Sequence, residues 1–345
     1  MDKNFENWDQ QISSTDWEQE MKTIRKSLRR RNRRIILTSV VLVIALLFGT
    51  IQFGMPALEK LYWVPDECTY LDNITDLELT MNIYNELFGH GKHFAGIHSQ
   101  KRGFADYALE VIFVEYASGS RLSDVSYRTA SLTKGRLSAS SNFWLDMIPG
   151  IFPPDAAIYS EDQLTLHQKR NRDLLRSLPD YVQVHAAVTF SQDLTMEQLQ
   201  QLQYQYSEDA RFLWTILRCS DPSGRSITPC GMHLTEYRSE KYEPAFWKDT
   251  PYPSLFVDRY DWSPEDMETH ITSMLQFSRD QAELGKGFLP TKEDSGYYQQ
   301  VLSYFEENGV KAYGCYLIAT PQVLLEMLEN GTVWYIDITD ARIGF

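Results

Sequence analysis

Cysteine is scarce in this chain, with only Cys68, Cys219, Cys230 and Cys315 among 345 residues. None has C-x-x-C spacing, which argues against thioredoxin-type chemistry and zinc ribbons. Residues 1–34 hold neither cysteine nor histidine. No H-E-x-x-H helix, nucleophile elbow or phosphate-cradling glycine loop occurs, so the sequence carries no mark of metalloprotease, α/β-hydrolase or P-loop chemistry. Positive charge is also in deficit: 33 Lys+Arg against 47 Asp+Glu leave a net charge of −14. Such a balance disfavours nucleic acid as a partner. The most informative lack is local. Residues 35–55, IILTSVVLVIALLFGTIQFGM, carry no charge at all. At 1.5 Å per residue the run reaches about 31 Å, one hydrocarbon core. Only a helix satisfies its own backbone in that setting, so 35–55 is expected to be a transmembrane helix.

The flanks orient it. Arg29, Arg30, Arg31, Arg33 and Arg34 crowd its N-terminal side, whereas Glu59 and Lys60 cancel on the other. The positive-inside rule then keeps residues 1–34 in the cytoplasm and exports the chain after about Leu58. A cleaved signal peptide fits poorly: the apolar run is too long, the leader is 34 residues, and no A-x-A site follows. The expectation is a single-pass protein of the cell membrane in contact with lipid. Residues 1–34 contain nine Lys/Arg and six Asp/Glu, net +3, which leaves −17 for the remainder. Aromatics at 13% and hydrophobics at 43% predict packed cores on the exported side.

The leader has its own pattern. Thr15 and Glu18 form a T-x-x-E capping box. Behind it Trp17, Met21, Ile24 and Leu28 recur at helical spacing, within about 60° of one another at 100° per residue. Phe5, Trp8 and Ile12 repeat the spacing upstream. A helix is expected from Asp16 through the membrane to a stop at Gly54 and Pro56. Its stripe suits either an inner-leaflet surface or a protein partner. Asp2, Glu6, Asp9, Asp16, Glu18 and Glu20 repel anionic lipid and favour a basic protein.

Beyond the membrane, residues 59–148 read as a membrane-proximal region. Residues 76–88 fit a helix with Leu77, Met81, Tyr84 and Phe88 inward, or a strand. Residues 107–117 read as a strand and 125–140 as a second. The PGIFPP run at 149–154 marks a boundary. In 155–345, helices are expected at 163–178, after Thr195 with Gln198 completing a capping box, from Ser263-Pro264 to Gly285, at 294–307, and after Thr320-Pro321. Strands are expected at 182–190, 210–219, 310–319 and 333–340, with a long irregular insertion at 220–262. Two β-α-β units separated by a helical insertion predict an α+β, split ferredoxin-like domain. Four cysteines allow three pairings, and the spacing does not choose. Cys219 and Cys230 bracket the turn-rich SDPSGRSITP, and Cys315 within AYGCYLI reads as a buried small hydrophobe.

The basic leader, the single membrane helix and the blocks VHAAVTFSQDLTMEQLQQL and NGVKAYGCYLIATPQVLLEML…IDITDA resemble the sigma factor regulator family of Gram-positive bacteria. The resemblance implies an anti-sigma factor, whose inner segment holds an extracytoplasmic-function sigma factor inactive while its outer part senses the envelope. It implies no catalytic residue and no cofactor. The leader differs from zinc-dependent anti-sigma domains in lacking His and Cys, and it is shorter than a multi-helix anti-sigma domain. The expected sigma contact is the stripe Trp17, Met21, Ile24 and Leu28. A second membrane protein or an envelope ligand is the expected outer partner.

Three other patterns invite chemistry. Ser131 and Lys134 form an S-x-x-K, which on a helix start would suit a serine hydrolase, but neither a K-T-G strand nor helical periodicity accompanies it. His90, His93 and His98 fall in a Gly-broken stretch expected to be an exposed loop, so no metal site is assigned. Tyr242, Phe246, Trp247, Tyr252, Phe256, Tyr260 and Trp262 would line a groove or, more often, pack under a loop. The alternative to an anti-sigma factor is an exported ligand-binding or scaffold protein with a simple anchor.

Overall fold

The computed structural model describes residues 14–59, 61–62, 65–70, 74–116, 122–139, 151, 153, 161–221, 228–235, 247–257, 262–282 and 295–343. The chain falls into two compact units, Met1–Tyr62 and Trp63–Phe345.

The first unit is a helix. α1 runs Ser14–Gly49, a π-helical turn follows at Thr50–Gly54, and α2 continues Met55–Glu59. The stop expected at Gly54 and Pro56 therefore does not occur. Proline brings no N–H to a helical ladder, and the turn just ahead of Pro56 widens: the Met55 N–H donates to the Thr50 carbonyl, one residue further back than in an α-helix. The helix also begins earlier than Asp16. It already contains Thr15, which is thus not its N-cap; the Thr15 and Glu18 side chains, like Phe5, Trp8 and Ile12, lie outside the described residues. Hydroxyls inside the apolar run return to the backbone, Thr38 Oγ1 donating to the Arg34 carbonyl and Thr50 Oγ1 to that of Leu46, both at 2.8 Å. One helix, Gln19–Glu59, is long and apolar enough to cross a membrane.

The second unit is α+β, with two antiparallel sheets. α3 (Asp76–Phe88) opens it. Thr75 caps α3, its hydroxyl accepting from the Glu78 N–H. Leu77, Met81, Tyr84 and Phe88 are all buried, so the helical alternative for this segment is the right one. A four-stranded meander follows: β1 (Lys92–Gly103), β2 (Asp106–Tyr116), β3 (Leu122–Thr133) and β4 (Arg136–Ala139), paired in that order. β1 replaces the expected histidine loop. The single strand expected over 125–140 is instead a hairpin, turned at Lys134 and Gly135, both with positive φ (50° and 72°). Such a pair matches the right-handed twist of two-residue hairpins.

After α4 (Glu161–Ser177) comes a five-stranded sheet: β5 (Val182–Thr195), β6 (Ala210–Leu217), β7 (Gly231–His233), β8 (Lys311–Ala319) and β9 (Val333–Ile343). Its order is β7-β6-β8-β5-β9, every neighbouring pair antiparallel. α5 (Met196–Gln205) leads from β5 to β6. α6 (Pro264–Asp280) and α7 (Ser295–Asn308) stand between β7 and β8, and α8 (Pro321–Glu329) joins β8 to β9. The Thr195–Gln198 capping box is present, and Thr320 caps α8 with Pro321 behind it. Ser263 caps α6 with Asp266 completing a second box. The ring of Trp247, with Tyr252 and Trp262, is buried in the main core; Phe256 packs against it. These aromatics are core. Tyr242, Phe246, Tyr260 and Gly285 lie outside the described residues.

One hydrophobic cluster takes in both sheets: Leu109, Val111 and Phe113 from β2, Val184, Ala186 and Val188 from β5, and Met267, Ile271 and Met274 from α6. Each of these side chains other than Ala186 contributes ~1.5–3 kcal/mol by leaving water. On the other face of β6 and β8 a smaller cluster of Ile151, Ala187, Trp214, Ile216 and Tyr313 forms. The Trp214 Nε1–H donates to the Glu86 carbonyl at 2.8 Å, tying β6 to α3.

Candidate functional site

The leader stripe lies on α1. Trp17 is 55% exposed, Met21 42%, Ile24 50% and Leu28 49%. A helical residue advances 100°, so the four Cβ atoms stand in one narrow row over three turns. Arg29, Arg30, Arg31, Arg33 and Arg34 follow on the same uninterrupted helix and are exposed, and the apolar run starts directly after them. Thr23 Oγ1 donates to the Gln19 carbonyl and Ser27 Oγ to that of Ile24, both at 2.8 Å, so these small polar residues are held to the helix itself.

In the second unit the polar groups that count are buried. The His270 ring has Nδ1 at 2.8 Å from the Ser254 carbonyl and Nε2 at 2.9 Å from Glu86 Oε1, joining α6 to α3. Arg218 clasps Asp193 with two donors, Nε to Oδ2 at 2.5 Å and Nη2 to Oδ1 at 2.8 Å, while its guanidinium lies 5.6 Å from the Tyr313 ring centre. Burial pushes the Tyr313 hydroxyl's pKa well up. These groups close on each other. They build interfaces between elements, and nothing in their arrangement aligns a nucleophile with a base.

Ser131 sits near the C-terminal end of β3, opposite Ala108 and Ser138, and Lys134 occupies the hairpin turn. One residue is on a strand and the other in a left-handed turn, so they do not stand one above the other on successive turns of a helix, as the motif requires. Ser131 Oγ reaches the Ser138 carbonyl at 3.5 Å. The histidines part company as well. His93 is buried in β1 with its ring centre 4.3 Å from that of His233 in β7, His90 packs edge-on against Tyr316, and His98 stands opposite Glu110. The expected exposed loop is corrected: His93 lies in the buried first half of β1 and His98 in its exposed second half. Among the described residues no group of three His, Cys, Asp or Glu side chains could hold a metal ion.

Residues 175–339 match the family model described as sigma factor regulator C-terminal. The chain carries a sigma factor regulator C-terminal domain. The match begins at the last turn of α4 and ends within β9, so this domain contains the five-stranded sheet and its helices. The comparison with curated proteins finds no match, and neither does that with solved structures. A sigma-regulator domain joined to one membrane-spanning helix agrees in general terms with membrane-linked regulation of a sigma factor. The sequence reading missed the Glu86–His270 and Arg218–Asp193 pairs. Neither has a local signature, because the first joins positions 184 residues apart and the second positions 25 apart, across α5 and β6.

Proposed function

We propose that the protein is a single-pass anti-sigma factor. Residues 1–34 sequester an extracytoplasmic-function sigma factor on the cytoplasmic side, and 35–55 cross the membrane. Residues 59–148 and 155–345 form the outer, signal-receiving part. The observation that carries this reading is the sigma-regulator domain at 175–339 in a chain with one membrane-length helix. The arginine cluster ahead of the apolar run supports the orientation. The strand order β6-β8-β5-β9, two β-α-β halves interleaved and wholly antiparallel, supports a split ferredoxin-like reading of the outer sheet. The docking surface is the stripe Trp17, Met21, Ile24 and Leu28. Four anchors at ~1.5–3 kcal/mol each leave a surplus after the cost of holding the segment in place. The outer partner is an envelope ligand or a second membrane protein, and no step of catalysis is involved.

Two measurements test it. Alkaline phosphatase fused after Phe345 is active if the C-terminal part is outside; an inactive fusion with a full-length membrane band reverses the orientation. Deleting the gene raises transcription from the promoters of its sigma factor. Unchanged transcription, with no sigma factor cross-linked to the protein in membranes, leaves an anchored binding or scaffold protein instead.

A further inference from the structure

β6 and β7 pair antiparallel, Ile216 facing Gly231, and the Leu217 N–H donates to the Cys230 carbonyl at 2.8 Å. Gly231 permits this close approach: a Cβ there would stand 2.1 Å from the Thr215 carbonyl oxygen. The chain therefore leaves β6 through Cys219 and re-enters the sheet through Cys230 beside that point. The two Sγ atoms stand 3.4 Å apart, and the Cys230 N–H also points at Cys219 Sγ at 3.5 Å. Two residues before Cys230, the Thr228 carbonyl accepts from the Tyr297 hydroxyl of α7 at 2.7 Å. Both thiols are buried, Cys230 completely and Cys219 with 5% exposure. A disulfide needs its sulfurs at about 2.05 Å. The two sulfurs are thus already in contact, with about 1.4 Å left to close.

We propose that Cys219 and Cys230 are a dithiol that closes to an intramolecular disulfide on meeting a disulfide oxidant. The oxidant is a low-molecular-weight disulfide or the disulfide of a thiol oxidoreductase, RSSR. Cys219, the more accessible, attacks as its thiolate and expels RS⁻, forming a mixed disulfide. The Cys230 thiolate then attacks the Cys219 sulfur and expels the second RS⁻. Two protein S–H bonds and one external S–S bond become one protein S–S bond and two RSH. The hydrogen bond to Cys219, then burial, raises the Cys230 thiol's pKa, so Cys230 is the poorer first nucleophile and Cys219 opens the exchange. The bond would staple β7 to the sheet. That three-residue edge strand carries His233, which packs on His93 of β1, so the staple secures the contact between the two sheets. That the bond is present in the cell rests on the outward placement proposed above; the dithiol's chemistry does not.

The test uses purified full-length protein in detergent, reduced, desalted and incubated with oxidised glutathione. Remaining thiols are capped with N-ethylmaleimide in denaturant, and the digest is analysed without reductant. The expected product is a peptide pair joined through Cys219 and Cys230, two hydrogens lighter than the separate peptides and lost on reduction. It should melt about 5 °C above the reduced protein. Cys230→Ser should halt at glutathione on Cys219. Wild-type protein with both thiols capped, or with glutathione persisting on Cys219, overturns the proposal. The same digest of protein capped in intact cells reads the placement: thiols there, with the bond formed in vitro, count against export and leave the dithiol standing.

Discussion

His270 is wholly buried, with an acceptor at each ring nitrogen. A carbonyl only accepts, so Nδ1 carries a proton towards Ser254; a second proton lies between Nε2 and Glu86, as imidazolium with carboxylate or imidazole with carboxylic acid. Either form is satisfied. Removing one partner is what costs, because the other stays buried without its counterpart. Glu86→Ala is expected to destabilise the protein by about 3–5 kcal/mol in urea unfolding, whereas Glu86→Gln, whose amide hydrogen bonds to the neutral ring, should lose less than half as much. Tyr84 supplies a pH test. Burial raises its hydroxyl from 10.0 to about 12, against a smaller lowering by the Tyr298 hydrogen bond. A raised folded-state pKa means the folded protein holds the proton more tightly. The stabilisation is complete below pH 10 and is lost as pH climbs from 10 to 12. Tyr84→Phe should make that decline shallower. The inward direction of Tyr84 was legible from spacing along 76–88. Its partner Tyr298 was not, because their contact depends on how two helices far apart in the chain are brought together.

Elements written in local chemistry were the most legible. Thr195 and Gln198, or Thr320 and Pro321, mark a helix start through bonds spanning three residues, and both starts are present. Thr195→Ala is expected to cost about 1 kcal/mol of stability, measured on the same unfolding curve. β1 was not legible. Its sequence KHFAGIHSQKRG is polar, broken by Gly96, and faces solvent for its second half, so no alternation survives; its pairing with β2 holds it in place. The continuation of the helix past Pro56 was missed for a different reason, since one wider turn accommodates the proline. Close packing shows best in β8. A Cβ on Gly314 would lie 2.4 Å from the Val188 carbonyl oxygen in β5 and 2.6 Å from the Ile151 side chain. With strands bonded on both sides there is no slack, and Gly314→Ala should lower stability by at least about 1–3 kcal/mol, read as a fall in thermal midpoint.

At the scale of the molecule, the chain divides into a lone helix and an α+β unit, and the sequence shows why. The helix has an uncharged run that needs no partner in hydrocarbon, while the unit from Trp63 onward carries the aromatics and branched residues of a shared core. The leader stripe was legible because it is one helix's own periodicity. The central claim is that this stripe holds a sigma factor. Its most direct test compares wild-type protein with the double variant Trp17→Asp, Ile24→Asp, each tagged at the C-terminus, with sigma factor quantified after cross-linking and recovery from membranes. If the stripe is the docking surface, a charge at two of its four anchors removes several kcal/mol of apolar contact. The account predicts at least a tenfold loss of recovered sigma factor and constitutive transcription of its promoters, with the variant as abundant in the membrane as wild type. Equal recovery and intact repression by an abundant, inserted double variant would contradict it.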